Sequence, residues 1–406
     1  MSERVAASAV LAAVLATLPS PTFAQQTRQE VLEKRRAEKA QNLAPYKPGK
    51  IERWVLWFEN PRFLLAPHNG FFVTYGYSYK PTGSGVGVGT GYRRDLLGRR
   101  ARVALEGGIS YKNYRLLRAD FSLPYLLENR LEIGVEASDH HHPQEDFYGL
   151  GSGSLAENRV SYLLDSRDYQ ARIVTRPRPQ LEIGARTGRM RPSIGRGTDP
   201  SHPSIEERFT DLTAVGLARQ PGFTYGEVFA GVDLRDQPGN ARDGGLYSLT
   251  WRRYADVDLD RYGFAVFDAQ VQQFFPIFDK KRVFAVQARV ISATPEDAQD
   301  VPFYFKPTLG GAHALRSLRD YRLRDNHVMY FNVEYRWEAF SILDMALFMD
   351  WGKVAHDRGD LDFSDMERAY GIGFRFSSPK AVFFRVDIAT GAGEGTRYWL
   401  KFSKAF

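Results

Sequence analysis

Three charged residues, Arg316, Glu334 and Asp350, have the types and spacing of an arginine held by two carboxylates. In HVMYFNVEYRW (327–337) and MALFMDWG (345–352), apolar and polar residues alternate as they do in β-strands, whose side chains point to opposite faces in turn. Glu334 and Asp350 fall on the polar faces of these neighbouring segments, and Arg316 lies in the arginine-rich loop before them. If the loop folds back onto these faces, the arginine can donate charge-assisted hydrogen bonds to both carboxylates.

Other residues of catalytic or metal-binding type do not form a comparable group. The run Asp-His-His-His (139–142) has ligand types, but adjacent strand residues point to opposite faces, which favours a solvated loop end over a metal site. Asp233, Arg235 and Asp236 precede a Pro-Gly turn and indicate a turn network rather than catalysis. The glycine-rich GVGVGTG (85–91) lacks the following helix that a phosphate loop requires. We therefore predict no catalytic residue, no metal site and no cofactor, and we expect that the protein is not an enzyme.

The composition narrows the possible partners. The chain has 406 residues, no cysteine and a formal charge of +7. Without cysteine, neither a disulfide framework nor a thiolate metal site can form. The arginines lie in alternating segments rather than in runs, so we expect no nucleic-acid partner.

The N-terminus has the parts of a secretory signal peptide. Arg4 precedes the apolar run AASAVLAAVLATL, and Thr22-Phe23-Ala24 supplies a small-x-small cleavage site, so we predict a cleaved signal peptide over 1–24. No later apolar run reaches the ~18 residues that a membrane helix needs. Residues 25–64 are charged and rich in helix formers with a thin apolar face, which predicts a short, helix-prone periplasmic leader. The remaining residues, 65–406, form the predicted β-barrel domain.

From Gly70 onward, segments of about ten residues alternate in the manner of barrel strands. A membrane barrel needs strands of about 9–11 residues, apolar outside and polar inside, with every edge paired. Strands of soluble sandwiches also alternate, but they are usually shorter and less consistently aromatic on their buried face. The predicted fold class is therefore all-β, a transmembrane antiparallel β-barrel of about sixteen strands. The predicted strands are 70–80, 83–94, 100–114, 115–127, 130–141, 159–176, 179–190, 223–235, 245–257, 262–277, 282–295, 327–339, 344–355, 367–379, 381–391 and 396–406.

The connections and the C-terminus agree with this barrel. The long predicted connections 142–158, 191–222, 296–326 and 356–366 all follow odd-numbered strands, and the connections after even-numbered strands are short. Long loops on one side and short turns on the other are typical of outer-membrane barrels. The last strand places a C-terminal signal of apolar residues on one face: Tyr398, Leu400, Phe402 and Phe406.

Several short motifs from about Gly70 to the C-terminus together resemble the bacterial surface antigen superfamily of outer-membrane barrels, the group that includes BamA and TamA. The resemblance implies a sixteen-strand barrel in which the loop after strand 11 enters the lumen and its tip arginine pairs with acidic groups on the next two strands. Carried over, these residues are Arg316, Glu334 and Asp350. The supporting motif positions are Gly310, Gly311, Phe348 and Gly352. The motifs are DFYGLGSGS (146–154), DLRDQPGNARDGGLYSL (233–249), LGG and LRSLRDYR within 309–322, FNVEYR (331–336) and FMDWGKV (348–354).

Two features depart from the family pattern. The loop tip has Arg316-Ser317-Leu318 where the family has R-G-F, and Arg319 nearby leaves a second register open for the pairing. Assembly factors of this family also carry POTRA domains before the barrel, which recruit client chains. Residues 25–64 are too short for such a domain. We therefore expect a member without POTRA domains, and a periplasmic partner is one way to replace them.

Two interpretations of the arginine and its carboxylates remain open. In the first, they fix the loop and so control the seam between the first and last strands, which fits insertion or translocation of protein or lipid at the outer membrane of a Gram-negative bacterium. The expected partners are then outer-membrane lipid and unfolded outer-membrane or secreted proteins. In the second, the ion pair only stabilises a passive pore or structural barrel. An outer-membrane enzyme is a third alternative, but the sequence shows no convergent polar set for it.

Overall fold

A computed structural model describes residues 69–76, 85–340, 342–377 and 382–402. All described residues belong to one compact unit, Phe58–Phe406. The predicted signal peptide (1–24) and leader (25–64) lie outside the described residues. Within the described ranges, no helix is long and apolar enough to cross a membrane.

The described unit is built from β-strands, with five short 3-10 turns between them. The turns are Leu97–Arg99, Ala156–Asn158, Ile205–Glu207, Phe303–Phe305 and Arg358–Asp360. The strands are β1 (Gly70–Gly76), β2 (Gly87–Leu96), β3 (Ala101–Ser110), β4 (Arg115–Leu126), β5 (Leu131–Phe147), β6 (Val160–Arg178), β7 (Leu181–Arg196), β8 (Phe223–Asp233), β9 (Gly244–Asp256), β10 (Phe264–Ile277), β11 (Arg282–Pro295), β12 (Thr308–Leu309), β13 (Leu323–Arg324), β14 (His327–Phe340), β15 (Leu343–Ala355), β16 (Glu367–Ser377), β17 (Val382–Gly391) and β18 (Thr396–Phe402).

Sixteen of these strands form one antiparallel sheet in chain order, with β11 pairing directly with β14. The short strands β12 and β13 form a separate hairpin in the loop between them. The sheet confirms the predicted all-β fold of sixteen antiparallel strands. In the described part of the chain, β1 pairs only with β2 and β18 only with β17, so closure of the sheet by its end strands stays a prediction.

Strands β5, β6 and β7 are longer than predicted, with 17, 19 and 16 residues. The excess lies mainly on the long-loop side, where Phe147 pairs with Val160 and Tyr162 with Arg196. Hydrogen bonding between these strands therefore continues beyond the length that a bilayer requires. The predicted connections 142–158 and 191–222 were too long for this reason.

The outward face of the sheet is apolar although it is exposed. Leu105, Val135, Ile173, Val228 and Leu347 are 50%, 51%, 47%, 53% and 53% exposed. Water would leave these side chains without the stabilisation that burial gives, whereas lipid tails accommodate them. The inward face carries the ion pairs described below, so the alternation is apolar-out and polar-in.

The long loops pack over one end of the lumen. The 3-10 turn Phe303–Phe305 places aromatic side chains in two buried clusters that also contain strand residues. One cluster includes Phe147, Tyr162, Ile205 and Phe303, and the other includes Phe223, Tyr254 and Phe264 with Phe305 against it. At this end, aromatic side chains of the loops and of the strands pack together.

One loop arginine shows how strongly the sheet curves. Arg322 donates hydrogen bonds to the Ser154 side chain at 2.9 Å and backbone at 2.7 Å, and it forms an ion pair with Glu394. Ser154 follows β5 and Glu394 follows β17, which are far apart in the order of the sheet. Only a sheet that curls around the loop brings both to the same guanidinium.

Candidate functional site

The loop between β12 and β13 begins with two glycines in left-handed backbone conformations. Gly310 has φ +128° and Gly311 has φ +89°, a region that favours glycine. A Cβ on Gly310 would lie 2.1 Å from the Arg319 carbonyl oxygen, so a side chain there would clash with backbone. The Gly311 N–H donates to the Leu318 carbonyl at 3.1 Å and closes the loop. Both glycines therefore shape the loop tip, which we define as residues 312–318.

Apolar residues attach the loop to the inner wall. Leu309 packs against Gly352, where a Cβ would lie 2.7 Å from its Cδ1. Glycine at 352 is thus required for this close approach. Leu318, which replaces the aromatic residue of the family pattern, is still 2% exposed. The buried cluster comprises Leu309, Ala314, Leu315, Leu318, Leu323, Val328, Tyr330, Val354 and Ala369.

Arg316 lies between the two carboxylates named from the sequence, and we call these three residues the loop clamp. Its Nε and Nη2 donate to Asp350 Oδ2 and Oδ1 at 2.8 and 2.5 Å. Its Nη1 donates to Glu334 Oε1 at 2.6 Å, and its backbone N–H donates to Asp350 Oδ2 at 3.1 Å. Arg319 is exposed, so the structure selects the register at Arg316.

The loop clamp is almost completely removed from water. Arg316, Glu334 and Asp350 are 2%, 6% and 0% exposed. The guanidinium carbon also lies 3.4 Å from the centroid of the Phe348 ring, in a cation–π arrangement. Phe348 fits there because Gly371 has no side chain: a Cβ at 371 would lie 2.5 Å from its Cζ. The ring of the motif residue Phe348 therefore packs against the Arg316 guanidinium.

Further charges on the inner wall extend the loop clamp. Glu334 also accepts hydrogen bonds from Arg375 at 2.8 and 2.9 Å and from Arg336 at 2.7 Å. Arg385 donates to Asp387 at 2.5 Å. None of the residues Arg336, Arg375, Arg385 and Asp387 was assigned to the site from the sequence. The four guanidiniums of this network face three carboxylates, which leaves one positive charge in excess.

The loop tip is also bonded to the last strand. The Trp399 indole N–H donates to the Arg316 carbonyl at 2.6 Å, and Arg397 Nε donates to the Ser317 carbonyl at 2.9 Å. Both donors belong to β18. Tyr398 and Leu400 of the predicted C-terminal signal are 70% and 55% exposed and alternate with these two donors along β18.

Two residues of the predicted C-terminal signal cannot be assigned a contact. Phe402 ends β18, but its side chain is not among those described. Phe406 lies outside the described residues. Their role in the C-terminal signal therefore stays a prediction.

A cavity of about 350 Å³ separates the loop tip from the turn between β8 and β9. The turn reaches the inner wall, where the Gly239 carbonyl accepts a hydrogen bond from the Val382 N–H at 3.0 Å. The cavity lining includes Arg235, Asn240, Arg316, Glu334, Arg375 and Arg385. The predicted turn network is present, since Arg235 donates to Asp233 at 2.9 Å.

The histidine run predicted as a loop end lies instead in β5. His141 contacts Asp165 at 2.6 Å, while His140 and His142 meet edge to face with ring centroids 5.7 Å apart. Adjacent histidines therefore point to different faces, as the strand periodicity predicts. Within the described ranges, no group of three His, Cys, Asp or Glu side chains could hold a metal ion.

Comparisons with known proteins agree with this architecture. Residues 231–403 match the model of the Omp85 superfamily domain, a range that contains the whole loop clamp. BamA from Haemophilus ducreyi lacking POTRA domains 1–3 has a similar fold, with a TM-score of 0.63 at 13% identity over 82% of this chain and 69% of that chain. No curated protein matches the sequence.

Two other solved structures are more distant. CdiB from Acinetobacter baumannii matches at 13% identity and TM-score 0.46, over 83% of this chain and 55% of that chain. CdiB from Escherichia coli matches at 14% identity and TM-score 0.48, over 83% of this chain and 60% of that chain. This chain therefore spans less than two thirds of either CdiB chain.

Proposed function

We propose that this member of the Omp85 superfamily, which matches the superfamily domain over residues 231–403, inserts or translocates a protein or lipid at the outer membrane of a Gram-negative bacterium. Members of this superfamily are transporters and insertases rather than enzymes, and we propose no covalent chemistry for this chain. The candidate substrates are unfolded outer-membrane or secreted proteins and membrane lipid. A periplasmic partner that recruits them is part of the proposal.

One observation carries this proposal: a single loop tip joins β14 and β15, the twelfth and thirteenth strands of the sheet, to its last strand, β18. Arg316 binds Glu334 of β14 and Asp350 of β15 through its side chain. Its carbonyl accepts the hydrogen bond from Trp399 of β18. Movement of the loop therefore changes the support of the end strand, and movement of the end strand pulls on the loop clamp.

The end strand is where a substrate would enter the sheet. An unpaired strand edge presents free N–H and C=O groups that another chain can pair with. In the described part of the chain, β18 is paired on one side only, with β17. We infer that the loop clamp sets how firmly β18 is held while its other edge exchanges partners.

Insertion kinetics of an unfolded outer-membrane protein into liposomes test this function. Liposomes with the wild-type protein should accelerate insertion relative to empty liposomes, and Arg316→Ala should remove the acceleration while the barrel stays folded. The matched control is Arg172→Ala. Arg172 also lies between two carboxylates, Asp120 at 2.6 Å and Glu132 at 3.1 Å, but these contacts join strands β4, β5 and β6 without a loop.

The outcomes separate the proposal from its alternative. Loss of insertion in Arg316→Ala but not in Arg172→Ala supports a loop that controls the barrel. If the wild-type protein does not accelerate insertion, and both variants only melt earlier, the passive structural barrel is correct. The burial of the loop clamp and the packed loop end are the observations that favour this second candidate.

A further inference from the structure

The outward surface of β1–β7 carries a groove that the loop clamp does not use. It has a volume of about 1100 Å³ and lies on the lipid-facing side of the sheet. Its floor includes Gly107, which pairs with Thr90 of β2 and Leu117 of β4. A Cβ on Gly107 would meet only the Leu117 Cδ1 at 3.8 Å and the Leu116 carbonyl at 3.9 Å, so open space lies above this residue. The glycine thus produces a depression in the outer wall.

One half of the groove is apolar. Val73, Val88, Ile109 and Leu117 line it and are 73%, 58%, 45% and 64% exposed. These side chains belong to the first four strands, in the outward-facing positions that contact acyl chains in a membrane barrel. This half therefore fits hydrocarbon.

The other half of the groove is charged. Along one cross-strand row, Leu117 pairs with Asp139, Asp139 with Arg167, and Arg167 with Arg191. Arg115 lies at the start of β4 and completes the basic residues of the lining. Three guanidiniums thus meet two lining carboxylates, those of Asp139 and Asp165.

The arginines of the groove are free to change partners. Arg167 bonds Asp139 at 2.9 Å, but the two side chains are 74% and 51% exposed. Arg191 bonds Asp258 at 3.1 Å, with side chains 63% and 40% exposed. Exposed pairs of this kind contribute little stability. A phosphate can therefore replace the carboxylates, with the forked geometry that guanidinium groups offer to it.

We propose that this groove binds one phosphorylated lipid, with its phosphate on Arg115, Arg167 and Arg191 and its acyl chains over the apolar half. The arginines lie toward the long loops, so the lipid belongs to the leaflet on that side of the membrane. Charge and apolar surface meet in one depression, an arrangement that matches the two ends of a lipid. A free phosphate would contact only the charged half of the groove. A protein segment would offer no single group that binds all three arginines.

Lipid retention by the full-length protein in detergent, measured by native mass spectrometry, tests the proposal. The probes are dioleoyl phosphatidylglycerol and dioleoyl phosphatidylcholine, which share acyl chains and differ in net charge. The wild-type protein should prefer phosphatidylglycerol by about tenfold or more, and the preference should fall with added salt. Each arginine near the lipid surface accounts for about a fivefold change, so Arg167→Gln with Arg191→Gln should weaken phosphatidylglycerol retention about 25-fold. Inorganic phosphate at millimolar concentration should not displace the lipid.

Two further variants test whether the lipid binds in this groove and not elsewhere on the protein. Gly107→Phe fills the groove without a backbone clash and should reduce retention of the anionic lipid. The control combines Arg94→Gln and Arg253→Gln, two exposed strand arginines outside the groove lining, and should change retention less than twofold. Equal retention of both lipids by the wild-type protein would overturn the proposal. So would unchanged retention in Gly107→Phe, competition by inorganic phosphate, or equal losses in the control.

Discussion

Removing either partner of the Arg316–Asp350 pair should lower the free energy of unfolding by about 3–5 kcal/mol, and removing both should cost clearly less than the sum of the two single costs. Asp350 is fully buried and accepts three hydrogen bonds from Arg316, at 2.5, 2.8 and 3.1 Å. In Arg316→Gln, Asp350 keeps the backbone N–H and the Asn332 amide at 2.8 Å, but its charge loses the guanidinium. In Asp350→Asn, a buried guanidinium keeps Glu334 at 2.6 Å and loses its bidentate partner.

The double variant contains neither of these two buried charges, so its cost should not be the sum of the single costs. We expect a coupling energy of about 2–3 kcal/mol, the upper range for residues in one buried network. Urea unfolding of the liposome-inserted barrel, followed by tryptophan fluorescence and by gel mobility without heating, measures all four proteins. The control cycle uses Arg253 and Glu296, which form the same bidentate contact at 2.5 and 3.0 Å.

The control pair is exposed, with side chains 54% and 34% accessible, so its coupling should not exceed about 1 kcal/mol. Strictly additive costs at Arg316 and Asp350, or a coupling as small as that of the control pair, would refute the argument. The loop would then be held by its apolar residues, with the ion pair contributing little. Such a result would also weaken the proposal that the loop clamp controls β18.

Three smaller perturbations follow from individual contacts. Trp399→Phe removes the indole donor to a loop-tip carbonyl at 2.6 Å, and should slow client insertion while lowering the free energy of unfolding by about 1 kcal/mol; unchanged insertion would contradict the coupling to β18. Gly352→Ala places a methyl group 2.7 Å from a Leu309 methyl and should cost about 1–3 kcal/mol in urea unfolding, an effect that Leu309→Ala should partly relieve if the clash is the cause. In the loop after β15, the Lys353 hydrogen bond lowers the pKa of Asp362 to about 2. Its stabilising effect is therefore present above the ordinary aspartate pKa and is lost as pH falls toward 2, and carbon-detected NMR titration should show this pKa rise toward its ordinary value in Lys353→Met but not in Lys280→Met.

The strand pattern was predictable because lipid outside and a polar lumen inside act on every strand in the same way. In β14, Asn332, Glu334 and Arg336 were placed on the inner face by alternation alone, and the structure has them there. The same reasoning placed Asp350 on the inner face of β15. Loop lengths predict which end of the barrel faces outward, since they depend on topology and not on side-chain detail, and this orientation stays a prediction.

Contacts between distant elements were not predictable in the same way. Arg375 of β16 donates a hydrogen bond to Glu334 of β14, two strands away. The sequence has many arginines on alternating segments, and nothing in it distinguishes the one that makes this contact. Alternation with Tyr398 and Leu400 puts Trp399 on the other face of its strand, but nothing in the sequence indicated that its indole donates to the loop tip. The predicted lengths of β5–β7 were too short, because pairing between strands can continue where the membrane ends.

The charges around the loop clamp also bear on how the loop could leave its place. With Arg316 present, four guanidiniums face three carboxylates, so the wall without that arginine would be balanced in charge. Glu334 would keep Arg336 and Arg375, and only Asp350 would lose its guanidinium. The cost of releasing the loop is therefore concentrated at one carboxylate rather than spread over the lumen. Under the proposed function, a compensating donor at Asp350 would offset this electrostatic cost, and release of the loop would still require loss of its apolar contacts and of the hydrogen bond from Trp399.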